Sequence, residues 1–388
     1  MNFRSKLPNT ETTIFTVVSR RANEFGALNI GQGFPDYPVD PRLIDCVAEA
    51  MREGRNQYAM GDGVLELRQQ IARKLEQCYG IGVDPVAEIT VSCGGTEALF
   101  SAIQALVDDG DEVIVFDPAY DAYEPAVRLA GGRCIRIPVL PPDFRIDWQR
   151  VRDMLSPRTR LVILNNPHNP ACVIHGQRDL DELAAAIRGR DIYVLADEVY
   201  EHVLFDGAVH SSVLAHPELR PKSFAVFSFG KTLHVTGWRV GYCVAPAALS
   251  REFRKVHQFN TFSIASPIQH GIARYLDAHP ESWQDLAAFF QRKRDYLNGL
   301  LAGSGFRVLP AQGTYFELLD FRDLSALPDV EFADLLIRKG GIAPIPLSPF
   351  YESRPLLSLL RICIAKQDQT LAAAAQRLQA FARDLAAA

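Results

Sequence analysis

Hydrophobic positions in the middle of the chain fall into short apolar runs separated by amphipathic stretches. The runs with the composition of β-strands are residues 88–93, 111–116, 133–139, 160–165, 191–196 and 223–229. Several runs are apolar at every position rather than at alternate ones, which is typical of strands buried on both faces. Helical patterns, such as 97–107 and 179–188, lie between them. This alternation predicts an α/β fold in which helices cover a largely parallel sheet.

The pattern changes after about residue 280. A long helix is expected from Trp283 to Leu301, and shorter mixed segments follow it, including an apolar strand within 355–365. A chain of 388 residues is also too long for one ordinary core. We therefore predict three parts, namely an N-terminal arm (1–35) that joins the small domain, a large domain (36–282) and a small C-terminal α+β domain (283–388).

Composition and charge exclude several classes of protein. The 41 basic and 46 acidic residues leave a net charge of −5, and no basic block suggests nucleic acid or a membrane surface as a partner. The apolar run at 355–365 contains Arg361 and is shorter than the ~18 residues of a membrane helix. The first fifteen residues lack the apolar core of a signal peptide. These features predict a soluble cytoplasmic protein.

Cysteines are scattered singly along the chain, without CxxC pairs or a partnered histidine spacing. They are Cys46, Cys78, Cys93, Cys134, Cys172, Cys243 and Cys363. An odd, unpatterned set in a long chain fits reduced thiols that pack in the interior. We expect neither disulfides nor a metal site.

Residues suited to ligand binding follow the ends of the middle strands, where open α/β sheets bind ligands. Gly95 and Thr96 begin a helix, and free N–H groups with a hydroxyl suit a phosphate, although the same residues also fit a plain helix cap. Neither a P-loop nor a dinucleotide fingerprint is present. Tyr120 either stacks on a planar ligand or packs as an ordinary tyrosine. Asn169 lies in a loop with two prolines, which either orient it toward the site or only form a turn.

Two further strand ends carry a carboxylate and an amine. Asp197 ends a buried strand, so its carboxylate needs a partner, and a protonated ring nitrogen would supply one. Lys231 follows Ser228, and Arg239 lies eight residues beyond, which suggests an amine beside a phosphate. A phosphate, a ring with a basic nitrogen and an aldehyde captured by lysine together describe pyridoxal phosphate (PLP). The sequence therefore predicts PLP held as a Schiff base on Lys231.

Arg361 lies in a strand that is otherwise apolar on both faces. A buried guanidinium needs an anion, and its planar fork fits a carboxylate through two parallel hydrogen bonds. An internal salt bridge is one interpretation. Beside a PLP site, the α-carboxylate of a substrate becomes the better partner.

The whole set of motifs resembles a known family. GGTEAL, DPAYDAY, NNPHNP, ADEVYEH, SFGKTLHVTGWRVGY and LLRICIAK resemble the class I aminotransferases of PLP fold type I. The likeness begins at residues 29–40, spans nearly the whole chain, and is nearest to bacterial methionine aminotransferases and the kynurenine and glutamine transaminases. It implies a large domain with a mostly parallel seven-stranded sheet flanked by helices, a smaller α+β domain, and a homodimer with shared active sites.

The resemblance also implies roles for individual residues. Lys231 holds the cofactor, Asp197 keeps the pyridine nitrogen protonated, and Tyr200 contacts the ring's 3-hydroxyl oxygen together with Asn169; of these, Lys231, Asp197 and Tyr200 form the catalytic set. The other implied cofactor-binding residues are Gly95, Thr96, Tyr120, Ser228, Arg239 and, from the neighbouring subunit, Tyr58. The implied substrate-binding residues are Arg361, Asn169, Gly33 and Phe15.

The expected reaction is a ping-pong transfer of the α-amino group from an apolar or aromatic amino acid to a 2-oxo acid. Methionine is the favoured donor, with phenylalanine, tyrosine and kynurenine beside it. This hypothesis rests on the likeness to the methionine aminotransferase subgroup and on Phe15 and Phe262, which suggest an apolar pocket. One alternative is a cysteine-conjugate β-lyase on the same fold. A second is a PLP-binding regulatory module, for which motifs that start by residue 29 leave no DNA-binding head. A third, a Schiff-base enzyme without PLP, would leave Asp197 and the phosphate set unexplained.

Overall fold

The computed structural model of the protein describes residues 4–8 and 10–387. The helices are α1 (Ile14–Phe25), α2 (Pro41–Arg52), α3 (Leu65–Tyr79), α4 (Gly94–Leu106), α5 (Tyr123–Leu129), α6 (Trp148–Met154), α7 (Gln177–Ile187), α8 (Phe229–Thr232), α9 (Ala247–Asn260), α10 (Ser266–Ala278), α11 (Leu286–Leu301), α12 (Asp329–Leu335) and α13 (Asp368–Ala386). The strands are β1 (Leu28–Asn29), β2 (Ile89–Ser92), β3 (Glu112–Asp117), β4 (Arg133–Pro138), β5 (Thr159–Asn165), β6 (Tyr193–Asp197), β7 (Ser223–Ser228), β8 (Gly241–Val244), β9 (Arg307–Val308), β10 (Phe316–Asp320), β11 (Ile342–Ala343), β12 (Ile345–Pro346) and β13 (Leu359–Cys363).

A seven-stranded sheet forms the centre of the larger part, with the strand order β2-β8-β7-β6-β5-β3-β4. Strands β3 to β7 pair in parallel, and β8 runs antiparallel to both of its neighbours. Strands β3 and β7 are buried at every position, as their continuous apolar runs predict. The predicted mostly parallel seven-stranded sheet is confirmed. The hydrophobic pattern alone did not single out β8, which has only four residues.

Local sequence sets where the helices that carry site residues begin. The predicted helix at 97–107 in fact starts at Gly94, directly after β2, because Gly94 adopts a left-handed φ of 74° that turns the chain sharply. Helix α1 begins after Thr13, whose hydroxyl accepts a hydrogen bond from the Thr16 amide at 3.3 Å, and ends at Gly26 in a left-handed conformation. Its first turn therefore holds Phe15 in a fixed place.

A second, antiparallel sheet with the order β12-β13-β10-β9 lies in the C-terminal part of the chain. Its strand β13 carries Arg361, which pairs across to Leu318 and Ile345. Strand β1 pairs in parallel with β11 and so attaches the N-terminal segment to this part. This pairing supports an N-terminal arm that joins the smaller part, while the domain limits at residues 35 and 282 stay predictions.

The structure contains free cysteines and lacks a membrane-spanning helix among its described residues. All seven cysteines are free thiols, and Cys172, Cys243 and Cys363 are buried. Across residues 4–8 and 10–387, no helix combines the length and apolar composition needed to cross a membrane.

Glu317 on β10 makes the stability of the fold depend on pH. Its side chain is completely buried, and its Oε1 atom accepts a hydrogen bond from Asn298 at 2.9 Å, while Oε2 has no partner among the described residues. Burial raises the pKa of this carboxyl from 4.5 to about 8. Because the folded pKa is the higher one, the stabilising contribution is fully present below pH 4.5 and is lost as the pH rises towards 8.

We predict that Glu317→Gln stabilises the protein at pH 8 and has little effect at pH 4.5, because glutamine keeps the hydrogen bond without a charge. Calorimetry at the two pH values should show a rise in melting temperature of roughly 2 °C or more at pH 8. The matched control is Glu76→Gln, at an exposed position of α3, which should leave the melting temperature unchanged at both. Equal effects of Glu317→Gln at both pH values would contradict a buried, protonated carboxyl.

Candidate active site

A cavity of about 340 Å³ lies at the carboxyl ends of β5, β6 and β7. It brings together every residue that the sequence predicts for the site except Tyr58 and Phe262. The predicted residues that line it are Phe15, Gly33, Gly95, Thr96, Tyr120, Asn169, Asp197, Tyr200, Ser228, Lys231, Arg239 and Arg361. A larger groove of about 660 Å³, between residues 142–148 and 173–179, contains none of them. The smaller cavity is therefore the candidate active site.

Lys231 lies in the one-turn helix α8, immediately after β7, rather than at the strand end itself. Its Nζ atom donates a hydrogen bond to the hydroxyl of Tyr315 at 2.7 Å and lies 3.4 Å from the carbonyl oxygen of Gly33. Burial, helped by the positive charges of Arg239 and Arg361, lowers the pKa of Lys231 from 10.5 to about 8. Roughly a tenth of this amine is therefore neutral, and so nucleophilic, at pH 7, far more than for an ordinary lysine.

Asp197 is the last residue of β6 and is 5% exposed. The hydroxyl of Tyr123 donates to its Oδ2 atom at 2.6 Å, whereas its Oδ1 atom is buried without a hydrogen-bond partner among the described residues. Burial raises the pKa of the carboxyl to about 6, with the Tyr123 hydrogen bond acting in the opposite direction. A buried carboxylate oxygen without a partner is costly, and a protonated ring nitrogen in the cavity satisfies it. The site thus fits the pyridine end of PLP.

The start of helix α4 and Arg239 together form an anion site. A Cβ atom on Gly94 would lie 2.5 Å from Nη2 of Arg239, so only a glycine lets the guanidinium lie against the helix start. Arg239 itself has a left-handed φ of 55°, and its Nη1 atom donates to the carbonyl of Thr236 at 3.0 Å. Such a conformation costs roughly 1 kcal/mol or more in a non-glycine residue. The exposed N–H groups of the helix, the Thr96 hydroxyl and this guanidinium suit a phosphate.

Two tyrosines and an asparagine surround the space between these groups. The hydroxyls of Tyr120 and Thr96 lie 3.3 Å apart. Tyr200 is buried and packs edge-on against Tyr315, with ring centroids 5.0 Å apart. The backbone N–H of Asn169 donates to the Oδ1 atom of Asn165 at 2.7 Å, which holds the loop after β5 against the strand end.

Arg361 is 1% exposed and has no ion-pair partner among the described residues. Its Nη1 atom donates to Oδ1 of Asn169 at 2.6 Å, and its Nη2 atom donates to the carbonyl of Gly31 at 2.9 Å. The Nε atom is buried and unpartnered. The guanidinium carbon lies 3.8 Å from the ring centroid of Phe316 and 5.1 Å from that of Phe15. With no internal salt bridge, this charge is available to a carboxylate that enters the cavity.

Two predicted neighbours lie elsewhere. Tyr58 is 82% exposed and packs edge-on against Phe262 at 5.1 Å, and neither residue lines the cavity. The expected contribution of Phe262 to an apolar pocket therefore stays a prediction.

Several residues that contact the site are not among those predicted from the sequence, namely Tyr123, Asn165, Tyr315 and Phe316. Tyr123 follows Tyr120 within DPAYDAY, so its position after a strand end was an available signal. Tyr315 and Phe316 lie in GTYF at the start of β10, in the smaller part of the chain, where nothing local points to the lysine.

Comparisons with known proteins agree with this geometry. The sequence model for "Aminotransferase class I and II" matches residues 26–378. The methionine aminotransferase of Escherichia coli K12 is 50% identical over 376 residues, which cover 97% of each chain. The kynurenine–oxoglutarate transaminase 1 of Mus musculus is 30% identical, over 93% of each chain. The crystal structure of an Escherichia coli protein identified as having a methionine aminotransferase function superposes with a TM-score of 0.96 at 50% identity, covering 98% of this chain and 100% of the other.

We predict that Arg361→Lys weakens the binding of 4-methylpentanoate, an apolar carboxylate without an amino group, by roughly 10- to 100-fold. Lysine keeps the positive charge but loses the paired N–H donors, a difference of about 1.5–3 kcal/mol for hydrogen bonds to a charged group. Titration calorimetry of the PLP-loaded protein measures this change. Arg338→Lys, in an exposed pair with Asp334, is the control and should bind as the wild type does. Unchanged affinity in Arg361→Lys would place the carboxylate elsewhere.

Proposed function

Because the chain belongs to the class I and II aminotransferases, which use pyridoxal phosphate, we propose that it transfers the α-amino group of methionine, and of related apolar or aromatic amino acids, to a 2-oxo acid. The observation that carries the proposal is the arrangement of Lys231, Asp197 and Arg361 around one cavity. The 50% identity to a methionine aminotransferase over 97% of both chains supports the choice of methionine.

The residues of the cavity fit the cofactor from end to end. In this proposal the start of α4, Ser228 and Arg239 hold the phosphate, Asp197 holds the ring nitrogen, and Lys231 holds the aldehyde carbon. Tyr120, Tyr200 and Asn169 surround the ring. PLP, when bound, supplies an aldehyde carbon that takes up amino groups and a ring that withdraws electrons from a substrate Cα.

Lys231 accepts a proton at one end of the site, and Asp197 stabilises a protonated group at the other end. Once released by the incoming amino acid, Lys231 takes the proton from the substrate Cα, and its pKa of about 8 leaves enough neutral amine for a general base. Asp197, with a pKa of about 6, is mostly ionised at neutral pH. It therefore favours a protonated ring nitrogen beside its free Oδ1 atom, and that charge makes the Cα proton easier to remove.

The charges of the cavity support an apolar substrate. The cationic residues in its lining are Lys231, Arg239 and Arg361, and each has a role in the proposal: the amine, the phosphate and the α-carboxylate. Among the described residues that line the cavity, no further cation remains to bind a second carboxylate on the substrate. Phe15 and Phe316 lie against the Arg361 guanidinium and offer apolar surface to the substrate side chain.

The surface around Tyr58 supports a homodimer in which each subunit's Tyr58 reaches its partner's phosphate site. Tyr58 is 82% exposed, Met60 74% and Phe259 92%. Ser263 donates a hydrogen bond to the carbonyl of Ala59 at 3.0 Å, which joins the two segments into one surface. Large exposed apolar side chains in one region mark an interface more often than a free surface.

The seven free cysteines support the cytoplasm as the location of the protein.

We expect the purified protein to be yellow and to show the absorption band of lysine-bound PLP, with the Lys231→Ala variant lacking it. Methionine alone should replace this band with that of the aminated cofactor, and a 2-oxo acid should restore it, because each half of a ping-pong cycle proceeds without the other substrate. Release of ammonia without amination of the cofactor would favour the β-lyase alternative. Aspartate turned over as fast as methionine would contradict the apolar substrate class.

For the dimer we predict that sedimentation of the wild type gives twice the mass of one chain. Tyr58→Phe should remain dimeric but bind PLP more weakly, because only the hydroxyl is lost. Equilibrium dialysis of PLP measures that effect, and the exposed Tyr296→Phe serves as the control. A fully active monomer would contradict the shared site.

A further inference from the structure

Tyr315 is the nearest hydrogen-bond partner of Lys231, and we propose that it is a positioning residue that keeps the lone pair of the lysine free to act as a base. Its hydroxyl accepts the hydrogen bond from Nζ at 2.7 Å and donates one to the carbonyl oxygen of Gly33 at 2.5 Å. This inference rests on the function proposed above, because it matters only if Lys231 moves a proton.

The direction of each hydrogen bond follows from the chemistry of the three groups. A carbonyl oxygen only accepts, so the Tyr315 hydrogen is committed to Gly33. The phenol oxygen can then only accept from Lys231. If that hydrogen were free, it could turn to the amine and donate to its lone pair, which would remove the base.

The neutral amine of Lys231 has as many N–H donors as there are hydrogen-bond acceptors beside it. A neutral lysine amine has two N–H groups and one lone pair. The acceptors beside Nζ are the Tyr315 oxygen at 2.7 Å and the Gly33 carbonyl oxygen at 3.4 Å. With both N–H groups directed to them, the lone pair is left for a proton from the substrate. The proton that Lys231 takes from Cα then becomes the third N–H, which has no acceptor of its own among the described residues and can be passed on.

Backbone geometry at Gly33 makes the arrangement possible. A Cβ atom at this position would lie 2.6 Å from Cζ of Phe316 and 3.3 Å from Cε2 of Tyr315. Glycine therefore lets the N-terminal segment lie directly against these two rings. The hydroxyl of Tyr315 therefore joins three separate parts of the chain, namely the segment around Gly33, the start of β10 and helix α8.

The phenol stays neutral in this position. Tyr315 is completely buried, and burial raises its pKa well above 10. The titratable groups that face Lys231 or Tyr315 from the packed elements are Asp197, Tyr200, Arg239, Arg361, Cys363 and Tyr37. Of these groups, Tyr200 also interacts with the Tyr315 hydroxyl through its side chain, so removal of this hydroxyl changes the surroundings of both Lys231 and Tyr200.

The test is Tyr315→Phe, with Tyr351→Phe as the matched control. Tyr351 is also buried, and its hydroxyl also donates to a backbone carbonyl, that of Val139 at 2.8 Å, away from the cavity. In the PLP-loaded protein, the single-turnover rate with methionine should fall roughly 10- to 100-fold in Tyr315→Phe, a cost of about 1.4–2.7 kcal/mol. The affinity for 4-methylpentanoate should equal that of the wild type, because Arg361 is unchanged. Tyr351→Phe should leave both quantities unchanged.

A second readout needs neither cofactor nor turnover. The phenol oxygen accepts from Lys231 and so favours its charged form, and its loss should lower the pKa of Lys231 in the cofactor-free protein. The pH dependence of acetic anhydride labelling at Lys231, followed by mass spectrometry of its peptide, measures that pKa. A purely structural role for Tyr315 would leave this midpoint where it is in the wild type.

The outcomes separate the two proposals. If the wild type fails to transaminate any amino acid, the proposed function falls. If the wild type transaminates but Tyr315→Phe matches it in rate and in labelling midpoint, only this inference falls. Should Tyr315→Phe not fold, 3-fluorotyrosine at position 315 decides the question. It keeps the ring and hydroxyl but is a weaker acceptor, so it should lower the labelling midpoint, and an unchanged midpoint overturns the inference.

Discussion

The parallel pairing of β5, β6 and β7 is the constraint on which the active site depends. Asn165 pairs with Asp197 across β5 and β6, and Asp197 pairs with Val226 across β6 and β7. The side chain of Asn165 and the backbone of Asn166 both donate to the carbonyl of Asp197 at 2.9 Å, so the loop after β5 is tied to the end of β6. Parallel strands end at one edge, and every loop that leaves this edge delivers its polar groups to the same place.

Burial at this edge shifts the pKa of an acid and that of an amine in opposite directions, and both shifts favour the proposed proton transfer. It raises the pKa of Asp197 to about 6 and lowers that of Lys231 to about 8. The pKa of Asp197 lies below pH 7 and that of Lys231 lies above it. At neutral pH the carboxylate is therefore mostly charged, while part of the amine is neutral. A site open to water would leave the lysine protonated and inactive as a base.

The two parts of the chain contribute different functions to the cavity. In the proposed function, the large sheet provides the groups that fit the cofactor, whereas Arg361 on β13 and Phe15 on α1 provide a charge and an apolar face for the substrate. Tyr315, at the start of β10, is the point where the smaller part meets the lysine. In this proposal, substrate selection and proton transfer depend on how closely the N-terminal segment and β10 approach helix α8.

The sequence by itself determined the fold class and predicted most of the residues that line the cavity, because a polar residue at the end of a buried apolar strand needs a chemical partner. Lys231, Asp197 and Arg361 were found in this way. Tertiary structure alone decided which side chains complete the site, because the partners are distant along the chain. Tyr123 lies 74 residues from Asp197, and Tyr315 lies 84 residues from Lys231. No local pattern carries such contacts, and the direction of each hydrogen bond depends on a third group, such as the Gly33 carbonyl, that only folding brings into place.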